Sequence, residues 1–123
     1  MGKSILFVYG TLKRGQRNHH LLAAQQFLGN ATTEPRYRIV DLGPYPGLVA
    51  IHENGLAVRG ELWTVDDNCL RQLDTFEGVP DLFDRRPVAI PGWKEVHAYF
   101  WNGAIAPSAA SGNIWPFSKE LRR

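Results

Sequence analysis

Ile5-Leu6-Phe7-Val8-Tyr9-Gly10-Thr11-Leu12-Lys13-Arg14-Gly15 is the stretch on which the fold turns. Five apolar or aromatic residues run without interruption into a glycine. A continuous run of this kind predicts a strand buried on both faces, since a half-exposed strand alternates apolar with polar residues. Gly10 then permits a turn that a side chain would obstruct. A turn at the end of a central strand can aim several backbone N–H groups at one point, where an anion or a carbonyl oxygen can sit. Taken alone, the stretch is either a ligand-binding loop or an ordinary strand-to-turn junction.

The chain around it has 123 residues, which predicts one domain over 1–123, with a core over about 4–101 and a tail over 102–123. Such a chain buries roughly two-thirds of its unfolded surface, enough for a core without disulfides. Apolar content of 44% and charged content of 21% belong to the soluble globular class. The net charge is +2, and Arg36, Arg38, Arg59, Arg71, Arg85 and Arg86 are scattered. No concentrated basic face results, so a nucleic-acid partner is not expected. Arg122-Arg123 reads as a solvated end. The single Cys69 excludes an internal disulfide or a cysteine-rich metal site and suits a reducing compartment. Its neighbours make it a small core residue. Polar residues resume at Thr11, so no secretory leader is expected. No apolar run approaches the ~20 residues that cross a bilayer. No membrane association and a cytoplasmic location are the expectation.

Further along, Asn18 predicts the N-cap of a short helix, with Leu21, Leu22, Gln25 and Leu28 near one face and Gly29 as terminator. Thr32 to Leu42 reads as extended, and Pro35 makes that strand an edge strand, a bulged one, or one that begins after the proline. Gly43-Pro44-Tyr45-Pro46-Gly47 is a rigid loop before a strand from Leu48 to Ile51. Asn54-Gly55 predicts a hairpin into a return strand from Leu56 to Val65. Gly60 within it marks a bulge or a close approach. Asp66-Asp67-Asn68 supplies the N-cap and first-turn charge of a helix running to about Glu77. Phe83 to Ile90 and Trp93 to Trp101 are strands joined at Pro91-Gly92. On the second, His97, Tyr99 and Trp101 share one face, with Val96, Ala98 and Phe100 on the other. The segment from Asn102 reads as irregular, with Trp115 and Phe117 able to pin it back. About six strands and two short helices predict an α+β domain: a small mixed, mostly antiparallel β-barrel with flanking short helices.

Chemistry enters with the second helix. Leu70, Leu73 and Glu77 stand at i, i+3 and i+7, which sets a carboxylate on the apolar face. There, burial and the C-terminal helix dipole both disfavour its charge and raise its pKa toward neutrality. The alternative is that the helix ends earlier and Glu77 points into water. Asp74, off the stripe, reads as the solvent-facing carboxylate. His19, His20, His52 and His97 lack chelating spacing, so no metal site is expected. Lys13-Arg14 reads as a pair of solvated loop cations, with contact to a phosphate or carboxylate as the alternative.

Together the two stretches are specific. Phe7 through Gly15, paired with Leu73-Asp74-Thr75-Phe76-Glu77-Gly78, resembles the gamma-glutamylcyclotransferase-like family. Tyr45-Pro46-Gly47-Leu48 and Val58-Arg59-Gly60-Glu61-Leu62-Trp63 look like its proline loop and glycine-bearing strand. Tyr9 through Gln16, with Asn18 and His19, is most similar to the gamma-glutamylaminecyclotransferase branch, and the segment at Ile114-Trp115-Pro116 looks more like short bacterial members. Phe83 stands where relatives often carry a tyrosine, while Arg85 fits their pattern. The resemblance implies intramolecular attack of a γ-glutamyl α-amine on its own γ-carbonyl, releasing 5-oxoproline and an amine. It implies Glu77 as proton acceptor and donor, and Tyr9, Gly10, Thr11, Leu12, Tyr45 and Tyr99 as substrate-binding residues. The substrate brings its own nucleophile, so no cofactor is expected and the partner is a small γ-glutamyl compound. Two other readings stand beside it: a non-catalytic small-ligand module, and a cyclotransferase that removes a γ-glutamyl group from a biosynthetic intermediate. Oligomeric state is open.

Overall fold

The computed structural model describes residues 2–117; the Arg122-Arg123 end lies outside the described residues. The opening run forms β1 (Lys3–Val8). It is followed by a 3₁₀ turn at His19–Leu22, then β2 (Gln26–Asp41), β3 (Pro46–Ala50) and β4 (Leu56–Asp66). The chain continues through α1 (Asp67–Phe76), β5 (Phe83–Pro87), β6 (Val96–Trp101) and β7 (Ser111–Gly112). The strands follow the order β1-β4-β2-β3-β6, and a β1–β6 pairing closes them into an irregular ring. β5 extends the sheet beyond β6, and β7 pairs with β2. The β1–β6 and β3–β6 pairings are parallel, and the remaining pairings are antiparallel. This is the mixed, mostly antiparallel α+β architecture that the sequence predicts, closed less regularly than a barrel.

The two-sided burial of β1 is as expected. Phe7 and Tyr9 join a core cluster with Ile39, Leu48, Val58 and Phe100. Leu6 and Val8 point the other way, into a cluster with Leu22, Trp63, Cys69 and Leu73 that lies under α1 and the 3₁₀ turn. β6 divides in the same manner: Val96, Ala98 and Phe100 enter the first cluster and Tyr99 the second. Period-2 side-chain alternation thus lets one strand serve two cores. Asp66 caps α1, its Oδ1 accepting from the Cys69 N–H at 2.7 Å.

Three local expectations are corrected. The helix predicted from Asn18 to Gly29 is limited to the 3₁₀ turn, and Asn18 makes no side-chain cap bond. From Gln26 onward the chain pairs with β4, beginning at Gln26↔Thr64. Gln25 holds that register by donating to Asp66 Oδ2 and accepting from the Asp66 N–H at 2.9 Å. Phe27 packs against Trp63 with the rings tilted at 59° and their centroids 5.3 Å apart. A distant strand edge outweighs the local helical period. Asn54-Gly55 is likewise no hairpin turn, because β3 and β4 flank β2 on opposite edges. Tyr37 of β2 pairs with Ala50 on one side and Leu56 on the other. The strand expected from Thr32 begins earlier, and Pro35 sits where the β2–β4 register shifts, which is the bulged option. The segment after Asn102 is anchored by the short β7 and by Phe117, which is buried in the first cluster.

Gly60 is a close approach. A Cβ there would meet the Val8 carbonyl oxygen and lie 2.7 Å from Phe7 Cζ, so β4 seats against β1 only without a side chain. Gly60→Ala is expected to destabilise the protein by about 1–3 kcal/mol through overpacking, measured as a lower urea midpoint.

Candidate active site

Where β1 ends, the chain turns sharply. The Lys13 N–H donates to the Gly10 carbonyl at 3.1 Å, and the Asn18 N–H to the Thr11 carbonyl at 3.0 Å. The Asn18 side chain donates to Thr11 Oγ1 at 3.0 Å, and His19 Nδ1 meets the Leu12 carbonyl at 3.0 Å. Every carbonyl of Gly10–Leu12 is therefore engaged within the loop. The N–H groups of Gly10, Thr11 and Leu12 enter no hydrogen bond among the described residues. Gly10 owes its identity to packing, since a Cβ would stand 2.6 Å from Pro46 Cγ.

Lys13 and Arg14, expected to be solvated, instead fasten this loop. Buried Glu61 accepts from the Arg14 N–H at 3.1 Å and from Arg14 Nε at 3.2 Å, and it also receives the Trp63 indole N–H at 3.1 Å. The Arg14 guanidinium lies 3.7 Å from the Phe27 ring centroid. Lys13 Nζ donates to the Trp115 carbonyl.

Tyr9 is enclosed. Its hydroxyl donates to the Tyr99 carbonyl at 2.8 Å and accepts the Leu48 N–H at 3.0 Å. Burial, with the Glu77 charge adding to it, holds its pKa far above the ordinary phenol value. The hydroxyl of Tyr9 is therefore committed to joining β3 and β6.

Opposite this loop stands Glu77, the C-cap of α1, whose N–H still donates to the Leu73 carbonyl at 2.8 Å. The helix does reach Glu77, and the side chain falls on the apolar side. Its carboxylate has no hydrogen-bond partner among the described residues. Burial pushes its pKa up to about 7 from an ordinary value of 4.5. Asp74, one turn earlier, is the correction here: it does not face solvent freely. Arg85 grips it in a fork, Nε to Oδ1 at 2.9 Å and Nη2 to Oδ2 at 3.0 Å, and the Tyr99 hydroxyl donates to Oδ1 at 2.8 Å. Burial alone would raise the Asp74 pKa, but the hydrogen bonds from Arg85 and Tyr99 hold it below the ordinary value.

A cavity of about 250 Å³ brings these groups together, lined by Tyr9, Gly10, Thr11, Leu12, Tyr45, Glu77 and Tyr99. All seven residues singled out from the sequence border this one space. Asn18, Pro46, Phe76, Leu82 and Phe83 complete much of its wall. Glu77 is the one charged side chain among the described lining residues. The volume lies below the ~300–1,000 Å³ of sites for drug-sized molecules and suits an amino-acid-sized group. Tyr45 packs in an aromatic trio, 5.8 Å from Phe83 and 6.4 Å from Trp101 by centroid. Sequence reasoning missed Asn18 as the brace of Thr11. It also missed the Asp74–Arg85 pair, for which the i, i+3 spacing from Glu77 was the available signal.

Residues 6–116 match the family model described as gamma-glutamyl cyclotransferase, AIG2-like. The chain belongs to that family. A putative gamma-glutamylcyclotransferase of Vibrio cholerae is 45% identical over 87 residues, covering 71% of this chain and 73% of that one. The gamma-glutamylaminecyclotransferase of Rattus norvegicus is 37% identical over 109 residues, covering 83% of this chain and 69% of its own. The crystal structure of an AIG2-like protein from Mus musculus superposes with a TM-score of 0.76 at 31% identity, over 87% of this chain and 82% of that one. Within the described residues, no helix of this family member is long and apolar enough to cross a membrane.

The raised Glu77 pKa has a stability consequence. Between the unfolded value near 4.5 and the folded value of about 7, the native state binds the extra proton, so stability falls as pH rises through that window and levels off above it. Glu77→Gln should remove this slope and be the more stable protein above pH 7, read from thermal midpoints at pH 5 and pH 8.

Proposed function

We propose that this member of the family is a gamma-glutamyl cyclotransferase acting on γ-glutamyl amines. The carrying observation is that one small cavity is lined both by the half-buried Glu77, whose carboxylate has no hydrogen-bond partner among the described residues, and by Gly10–Leu12, whose N–H groups likewise have none. In the proposed reaction the α-amine nitrogen attacks the γ-carbonyl carbon and forms the lactam C–N bond. The bond to the leaving amine then breaks, giving 5-oxoproline and a free amine, with no water consumed. Glu77 takes two protons in turn from the attacking nitrogen, one from the α-ammonium before attack and one as the lactam forms, and passes each to the departing nitrogen, which leaves as an ammonium. A pKa near neutrality suits both transfers, because the group must hold and release a proton at the same pH. The N–H groups of the loop polarise the carbonyl or hold the α-carboxylate. Folding the glutamyl chain into a ring-closing shape within the cavity supplies several kcal/mol more by positioning.

The wall also supports the amine as leaving group. Phe76 and Leu82 line the cavity yet remain 48% and 43% exposed, which makes the rim apolar. No cationic side chain lines the cavity among the described residues, so the carboxylate of a γ-glutamyl amino acid would find no counter-ion there. The names of the rat and Vibrio relatives agree with the activity. The lone cysteine, buried against the Leu21 carbonyl, agrees with a reducing, cytoplasmic setting.

Glu77→Gln, which keeps size and polarity, is expected to leave the circular dichroism spectrum unchanged. It should lower kcat/KM for 5-oxoproline release from γ-glutamyl amines by ~10²–10⁴-fold. Turnover at the unmodified rate would overturn Glu77 as acid/base. Absence of 5-oxoproline from every γ-glutamyl compound in a panel would overturn the activity.

A further inference from the structure

Tyr99 lines the cavity, whereas Asp74, which accepts from its hydroxyl, and Arg85, which grips Asp74, do not. We propose that Asp74 and Arg85 are positioning residues that turn the Tyr99 proton away from the cavity. Tyr99 then offers an acceptor oxygen to the α-ammonium of the γ-glutamyl substrate. The proposal rests on the cyclotransferase reading, adds two residues to it and gives Tyr99 a stated role.

The direction of the hydrogen bond follows from the chain of partners. A guanidinium donates and cannot accept, so Arg85 requires acceptors at both Asp74 oxygens, and it finds them in a two-pronged fork at 2.9 and 3.0 Å. A carboxylate held in this way stays ionised and has no proton to give. At the 2.8 Å contact between Asp74 Oδ1 and the Tyr99 hydroxyl, Tyr99 must be the donor. A phenol has one proton, so what remains of Tyr99 for the cavity is lone pairs. Arg85 thus sets the polarity of a group it does not touch.

Thr11 is set the opposite way. Its Oγ1 accepts from Asn18 Nδ2 at 3.0 Å and donates to no group among the described residues, which leaves its proton for a ligand. The hydroxyl of Tyr9 is spent on the Tyr99 carbonyl and the Leu48 N–H. The cavity is therefore lined by acceptors, Glu77 and Tyr99, and by donors, Thr11 with the N–H groups of Gly10–Leu12. A γ-glutamyl group carries the matching halves: an ammonium with three donors, and a carboxylate and γ-carbonyl that only accept. Matched this way, the ammonium is drawn to the residue that must deprotonate it.

The test compares two probes in the Glu77→Gln protein, in which the expected loss of turnover lets binding be read. One is the γ-glutamyl amide of n-butylamine, and the other is the glutaryl amide that differs only in lacking the α-amine. Calorimetric Kd values give a preference ratio. Adding Tyr99→Phe should reduce the preference for the amine-bearing probe about tenfold or more, the worth of a hydrogen bond to a charged group, while the glutaryl Kd stays within about twofold. Asp74→Asn, which frees the Tyr99 proton to turn inward, should also reduce the ratio. Equal weakening of both probes would make Tyr99 and Asp74 merely structural and overturn the proposal, as would an unchanged ratio. If the unmodified protein releases 5-oxoproline from the first probe while the ratio is unmoved, this proposal falls and the reaction stands. If it releases none from any γ-glutamyl compound, the reaction falls and takes the proposal with it.

Discussion

The structure depends on how one edge of β6 is shared. β1 pairs with it in parallel at Val96 and His97, and β3 at Phe100. Neither strand reaches the Tyr99 carbonyl between them, and a buried carbonyl left without a donor is costly. The Tyr9 hydroxyl supplies that donor and takes up the Leu48 N–H as well. A side chain stands in for a missing stretch of ladder, and the ring closes without the strands being continuous. The cavity opens at this seam, bordered by Tyr9 and by Pro46 at the start of β3. One constraint therefore both closes the sheet and places the site.

The same economy of hydrogen bonds separates structural from reactive groups. Carbonyls in the Gly10–Leu12 loop are all taken, by Lys13, Asn18 and His19. Glu61 anchors the loop from below through Arg14 and Trp63. What is left without a partner among the described residues is the N–H groups of Gly10–Leu12 and the Glu77 carboxylate, all on residues that line the cavity. Polar groups kept free of internal partners in a partly dry space are those best able to bind and to exchange protons.

Two carboxylates on adjacent turns of one helix illustrate how environment assigns roles. Asp74 is gripped by Arg85 and Tyr99 and stays ionised, while Glu77 is half-buried with no hydrogen-bond partner among the described residues, and burial pushes its pKa up to about 7. The chemical groups are alike, and their neighbours push them apart. The first can hold a hydroxyl in place and the second can move a proton, which is the division a single-base cyclisation requires.

Much of this was legible in the residues. The unbroken run from Ile5 to Tyr9 specified a strand buried on both faces, because no position in it tolerates water. Asp66 specified the start of α1, and the 3.6-residue period set Glu77 beside Leu70 and Leu73. These features depend on neighbours within about ten positions, which spacing alone describes. The residues from Asn18 to Gly29 carry a helical period, yet only His19–Leu22 turns, and from Gln26 the chain is strand because β4 offered an edge some forty residues away. Asn54-Gly55 carries a hairpin signal, yet β2 separates the two strands it joins. Asp74 acquired Arg85 and Tyr99 from 11 and 25 positions on, and Tyr9 met Tyr99 across 90. Which segments must be buried, and where a carboxylate meets an apolar face, are written in local composition and period. Which groups are spent on one another, and which remain for a ligand, emerges on folding, since hydrogen-bond partners are chosen by proximity in space.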